Sequence, residues 1–139
     1  METLENKKKI LVVDDDGDYL SVVEDMLKEK FEVFTNKSGR EALQRLYTGF
    51  IPDLVLLDIY MPGMDGWEVY RRIKTIDYLD KLPVVFFTSI NEKLTIDRAH
   101  DIAAVDYLMK PFEKEDLIAR LKVLLRKHVH RAKQEDKWP

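Results

Sequence analysis

Six residues able to do chemistry stand at the ends of the apolar runs of this sequence. Asp14 and Asp15 follow ILVV, Asp58 closes DLVLL, Thr88 and Ser89 close PVVFF, and Lys110 follows AVDYLM. If those runs are neighbouring strands, three carboxylates, hydroxyls and an ammonium meet on one rim. Carboxylates so close repel one another, and at least one pKa rises unless a hard cation with oxygen ligands intervenes. Mg²⁺ suits such a place, because it accepts one or two carboxylates, keeps several waters and takes phosphate oxygens as further ligands. A carboxylate there is a competent phosphoryl acceptor when a metal neutralises the growing charge and donors such as Thr88 and Lys110 hold the other oxygens. The chain has no glycine-rich lysine loop for a nucleotide, so the phosphoryl group must come from a small donor or another protein.

The elements that would position these residues follow from periodicity. Runs 10–13, 53–58, 83–89 and 104–109 are short, apolar and followed by polar or turn residues, which predicts buried parallel strands. FEVFT, 31–35, alternates more and predicts an edge strand. Between them, Leu20, Val23, Met26 and Leu27 fall near helical spacing. Ser38 with Glu41, and Asp65 with Glu68, make capping-box patterns before Ala42, Leu43 and Leu46, and before Val69 and Ile73. Asn91 is placed to cap a fourth helix carrying Leu94, and a fifth runs from about Glu113 with Leu117, Leu121, Leu124 and Leu125 on one stripe. Five alternations of strand and helix imply right-handed crossovers and a doubly wound α/β parallel sheet with helices on both faces. Ligands of such sheets bind outside the carboxyl ends of the strands, where the six residues fall.

Composition narrows the function further. With 139 residues, one domain is expected, without room for a catalytic domain and a separate cap. A net charge of -3 gives no general attraction for nucleic acid, so direct DNA binding by this chain is not expected. The absence of cysteine excludes disulfides, thiolate zinc sites and cysteine nucleophiles. No signal peptide or membrane span is legible, and a cytoplasmic protein without a membrane role is the expectation.

The motifs ILVVDD, LVLLDIYMPGMDGWEV, FFTS and DYLMKPF, in this order and spacing, resemble response-regulator receiver domains, the modules that take a phosphoryl group from a histidine kinase. The resemblance covers 9–127, leaving 1–8 as an N-terminal extension and 128–139 as a charged tail or the start of a linker. It implies a (βα)5 flavodoxin-like fold with strand order 2-1-3-4-5. It makes Asp58 the phosphoacceptor, with Mg²⁺ held by Asp14, Asp15, Asp58 and the backbone carbonyl of Tyr60. Thr88 and Lys110 would bind the phosphoryl oxygens, and Lys110-Pro111 is expected to be a cis peptide that aims the lysine. Thr88 and Tyr107 would be the switch pair that changes the surface of the fourth helix, fifth strand and fifth helix. That surface, about 91–127, would meet a downstream effector or form a homodimer, and the upstream partner would be a histidine kinase or histidine phosphotransfer protein. Tyr60 and Lys93 would face the route of the attacking water, and Ser89 would be a small position beside the site. Where the family usually has glycine before the fifth strand, this chain has Ala103, which predicts negative φ there. A stand-alone receiver and a receiver fragment are both compatible with the chain.

One stretch supports a rival. Asp14-Asp15-Asp16-Gly17-Asp18 lies close to the D-x-D-G-T motif of haloacid-dehalogenase phosphatases, in which Asp14 would be the nucleophile. Asp18 departs from the usual threonine or valine, nothing after Lys110 supplies that family's last acidic motif, and MPGMDG is left without a role. Asp16 and Asp18 are better placed at the start of the first helix, where negative charge suits the N-terminus. A degenerate receiver serving only as a binding module is a third reading, against which the complete residue set argues. Trp67 and Tyr70 are assigned no chemistry, and His100, His128 and His130, without metal spacing, are expected to face solvent.

Overall fold

Apolar runs without alternation become strands here because both faces of the sheet are covered. In the computed structural model, which describes residues 7–89, 106–110 and 112–135, with backbone alone for 88, 89, 106, 107 and 128–135, successive strand residues enter different cores. The strands are β1 (Lys9–Val13), β2 (Glu32–Asn36), β3 (Leu54–Asp58), β4 (Val84–Ser89) and β5 (Asp106–Lys110). Leu11, Val13, Leu57 and Phe86 pack with Ala42, Leu46, Trp67 and Ile73 on one face. Ile10, Val12, Leu56 and Phe87 pack with Leu20, Val23, Leu121 and Leu124 on the other.

All neighbouring strands pair in parallel, as the alternation of strand and helix predicts, in the flavodoxin-like order β2-β1-β3-β4-β5 that the receiver resemblance implies. Helix α1 (Gly17–Leu27) and the last helix (Lys114–Glu135) cover one face, and α2 (Gly39–Tyr47) with α3 (Gly66–Lys74) covers the other. The fourth helix expected from Asn91 lies outside the described residues. Among the described residues, no helix is long and apolar enough to cross a membrane.

Two boundaries move for identifiable reasons. The edge strand begins at Glu32, because the Phe31 N–H still donates to Leu27 O at 2.9 Å and its ring is buried under the end of α1. The last helix begins after Glu113, whose carbonyl accepts from Leu117 N–H at 2.9 Å. The expected capping boxes form in their forward half. Ser38 Oγ accepts from Glu41 N–H at 3.1 Å and Asp65 Oδ1 from Glu68 N–H at 3.0 Å. Glu41 reaches back to Lys37 N–H at 3.3 Å, one residue beyond the cap, while Glu68 pairs with Arg71 at 3.1 Å and Arg72 at 3.7 Å.

Candidate functional site

Register brings the acids together. Val13 is level with Leu57, so Asp14 and Asp58 extend adjacent strands by the same one step, and both continue the face that carries Val12 and Leu56. Asp58 is level with Phe87, and Phe87 with Leu108, so alternation returns Lys110 to that same face two residues on. Asp14 and Asp58 are 1% and 6% exposed, whereas Asp15 faces solvent.

One oxygen from each of Asp14, Asp15 and Asp58 lies within 4.8 Å of the other two. Lys110 Nζ is 2.8 Å from Asp14 Oδ2 and 3.8 Å from Asp58 Oδ1. The other oxygen of Asp14 accepts from Asp16 N–H at 3.0 Å. Asp16 in turn caps α1, its Oδ1 accepting from Asp18 N–H at 3.0 Å and Tyr19 N–H at 3.2 Å. Asp16 and Asp18 thus take the places at the helix start that the sequence predicts.

Burial pushes the Asp58 carboxyl from its ordinary 3.8 up to about 7. The charge of Asp14, a hydrogen bond with that carboxyl and the charge of Asp15 add to the rise, and Lys110 opposes it. Among the described residues, the Lys110 ammonium pairs with two of the three clustered carboxylates, Asp14 and Asp58. The donors are hard oxygens around one point with an excess of negative charge, which is the set that a small divalent cation requires.

The loop after β3 owes its path to two glycines. Gly63 adopts φ +78°, a left-handed conformation that suits glycine. At Gly66 a Cβ would overlap the carbonyl oxygen of Asp58 and lie 2.8 Å from Ile59 Cα, so α3 starts directly against the strand end. Gly66 N–H donates to Ile59 O at 2.8 Å and fastens that contact. These distances give the MPGMDG segment its job.

Two rings lie against Lys110 that the sequence did not point to. Its Nζ is 4.6 Å from the ring centroids of both Tyr19 and Phe87, which stack at 6.1 Å and 21°. Phe112 closes the group, 6.4 Å from Tyr19 and 6.2 Å from Phe87. Periodicity marks Phe87 as core, but nothing in a single sequence brings Tyr19, on another element, to the same lysine. Trp67 proves to be core, 4.8 Å from Phe86. Tyr60 is exposed. The side chains of Thr88, Ser89, Tyr107, His128 and His130, and all of Lys93, His100, Ala103 and Pro111, lie outside the described residues, and the roles expected of them stay expectations.

The family model of the response regulator receiver domain matches residues 10–122. The chain belongs to that family. The receiver is 38% identical to the transcriptional regulatory protein CrdR of Helicobacter pylori over 117 residues, which make up 84% of this chain and 54% of CrdR. It therefore spans about half the length of that relative. A response regulator from Chloroflexus aurantiacus superposes with a TM-score of 0.80 at 32% identity, covering 87% of this chain and 99% of that one. A receiver domain protein from Clostridium thermocellum does so with a TM-score of 0.76 at 28% identity, covering 91% and 98%. Within the receiver, the acid cluster and Lys110 occupy the carboxyl-end rim of the sheet, as expected of an open α/β fold.

Proposed function

We propose that this receiver is a phosphorylation-dependent switch in which Asp58 accepts a phosphoryl group from a phosphohistidine of a histidine kinase or histidine phosphotransfer protein. The observation that carries the reading is the buried Asp58 carboxylate, clustered with Asp14 and Asp15 and with the Lys110 ammonium 3.8 Å from it. Mg²⁺, held by Asp14, Asp15, Asp58 and the Tyr60 carbonyl, would supply neutralisation of the charge on the transferred group. Asp58 brings an oxygen lone pair to phosphorus as the phosphorus–nitrogen bond to histidine breaks, and the imidazole leaves with that bonding pair. Lys110 then exchanges Asp14 for a phosphoryl oxygen, and Thr88 binds another. The new dianion favours whichever loop arrangement brings those donors close, with Tyr107 following Thr88. The surface of about 91–127 is the proposed output face, toward an effector or a second copy.

The use of Asp16 speaks against the phosphatase reading. Asp14 accepts from Asp16 N–H and pairs with Lys110, and the Asp16 carboxylate caps α1, so Asp16 is used as a helix cap, a role that the receiver reading accounts for.

The test is intact-protein mass after incubation with acetyl phosphate and Mg²⁺. The expected result is a phosphoryl-sized gain that requires Mg²⁺ and disappears in Asp58→Asn. A gain that survives Asp58→Asn and disappears in Asp14→Asn transfers the reading to the phosphatase, and no gain in the native chain leaves a binding module.

A further inference from the structure

Tyr19 belongs to the first turn of α1, yet its ring lies over the ammonium of a residue on β5. The Lys110 nitrogen is equally far, 4.6 Å, from the centroids of Tyr19 and Phe87, which are themselves 6.1 Å apart. It therefore sits to one side of the ring pair, which makes a floor beneath it, while Asp14 and Asp58 face it from elsewhere. Among the described residues, the Tyr19 hydroxyl is buried and meets no hydrogen-bond partner. Its ring is therefore placed by its faces, against Phe87, Phe112 and Lys110, and by its backbone, which the Asp16 cap ties to Asp14.

We propose that Tyr19 is a positioning residue for phosphoryl transfer, its aromatic face holding the Lys110 ammonium over the acid cluster and letting it pass from Asp14 to the phosphoryl oxygens. The proposal rests on Asp58 being the phosphoacceptor. A hydrogen bond fixes the ammonium at one atom, whereas attraction to a ring face is broad and tolerates a shift across it. A lysine has four side-chain torsions to order, and a floor that confines it beforehand removes much of that cost from the transfer step. Phe87 supplies half of the floor but is wholly buried core; Tyr19 is the half contributed by the acidic loop and its helix.

The experiment compares Tyr19→Phe, which keeps the ring, with Tyr19→Leu, which removes it, in the native and the Lys110→Met backgrounds. Phosphoryl uptake from acetyl phosphate with Mg²⁺ is followed by intact mass, and the Lys110 ε-methylene proton shifts are read by NMR without metal. The expected result is uptake near the native rate for Phe and about fivefold to thirtyfold slower for Leu. That loss should vanish in the Lys110→Met background. The upfield ring shift of the lysine methylene should persist in Phe and shrink in Leu.

Equal loss in both backgrounds would mean that Tyr19 acts on folding and not through the lysine, and overturns the proposal. So does a native rate for Leu, or a methylene shift unmoved by removing the ring. If the native chain takes up no phosphoryl group, the proposed function fails, and with it the transfer role of Tyr19; the NMR shift still decides separately whether Tyr19 holds the lysine.

Discussion

Lys110 bonds to Asp14 at 2.8 Å, across 96 residues of sequence, and so ties the last strand of the sheet to the first acidic loop. The same ammonium lies 3.8 Å from Asp58, so these two buried carboxylates share it. Replacing it by methionine keeps the aliphatic length and removes the charge. The surviving acids then repel, and one takes up a proton at neutral pH to escape the full cost. Lys110→Met is expected to lose about 1–2 kcal/mol of stability without Mg²⁺, measured by urea unfolding, and to slow phosphoryl uptake at least about tenfold. A variant as stable and as fast as the native chain would remove the lysine from both roles.

Asp58 makes the metal-free protein sensitive to pH in a direction opposite to ordinary surface acids. Its carboxyl is raised from 3.8 to about 7, so folding favours the protonated form. The stability this group contributes is complete below pH 3.8, falls as pH rises and is lost by about pH 7. Asp58→Asn, which cannot ionise, should therefore be more stable than the native chain at neutral pH by about 1–3 kcal/mol. The difference should narrow toward pH 4. Unfolding curves at several pH values in a chelating buffer check it, and a constant difference across that range would contradict ionisation of the buried carboxyl as its cause.

Much of this was legible in the sequence, and the parts that were not share a physical reason. Uninterrupted runs such as ILVV and LVLL signal strands covered on both faces, and their ends place Asp14, Asp58 and Lys110 on one rim, while the register of the sheet puts them on one face. Caps at Ser38 and Asp65, and the acidic start of α1 at Asp16 and Asp18, are local and were readable for that reason. The ring floor under Lys110 is not local. Tyr19 meets Phe87 and Lys110 only after α1 has docked against the sheet, and no spacing in one sequence encodes that approach. Phe31 shows the same limit at small scale, since its place in the β-prone FEVFT run was overruled by the closing turn of α1.

The three carboxylates also predict a response to cation. Under the proposed function Mg²⁺ would be held by the folded arrangement and not by the unfolded chain, so it should stabilise the receiver as its concentration passes the dissociation constant. At about one hundred times that constant the gain is about 2.7 kcal/mol, a rise of several degrees in Tm. Asp14→Asn and Asp15→Asn should each blunt the rise, with Asp15→Asn the less damaging to folding because Asp15 is exposed. An undiminished response in both variants would place the cation elsewhere.

Tyr60 is two residues past Asp58 and 57% exposed. A bulky ring at that position is expected to obstruct the water that hydrolyses an aspartyl phosphate, so Tyr60→Asn should speed dephosphorylation by about threefold to tenfold while leaving uptake within about twofold. Decay of the phosphorylated mass after removal of the donor measures it. An unchanged decay would mean that the ring stands clear of the water.

Gly66 offers the sharpest test of how the fold holds the site. A methyl group there would run into the Asp58 carbonyl oxygen and Ile59 Cα, which are backbone atoms of the strand end and cannot rotate away. Either α3 withdraws from the sheet, breaking the Gly66 N–H bond to Ile59 O, or the end of β3 moves and takes the Asp58 carboxylate with it. Gly66→Ala is therefore expected to cost about 2–4 kcal/mol although alanine is the better helix former, and to slow phosphoryl uptake in the molecules that stay folded. Gly63→Ala, at positive φ but with nothing within 4 Å of the added atom, should cost only about 1 kcal/mol through backbone strain. Urea unfolding of the two variants separates the causes. If the substitution at 63 proved the more damaging, backbone conformation and not close approach would be what the MPGMDG glycines supply.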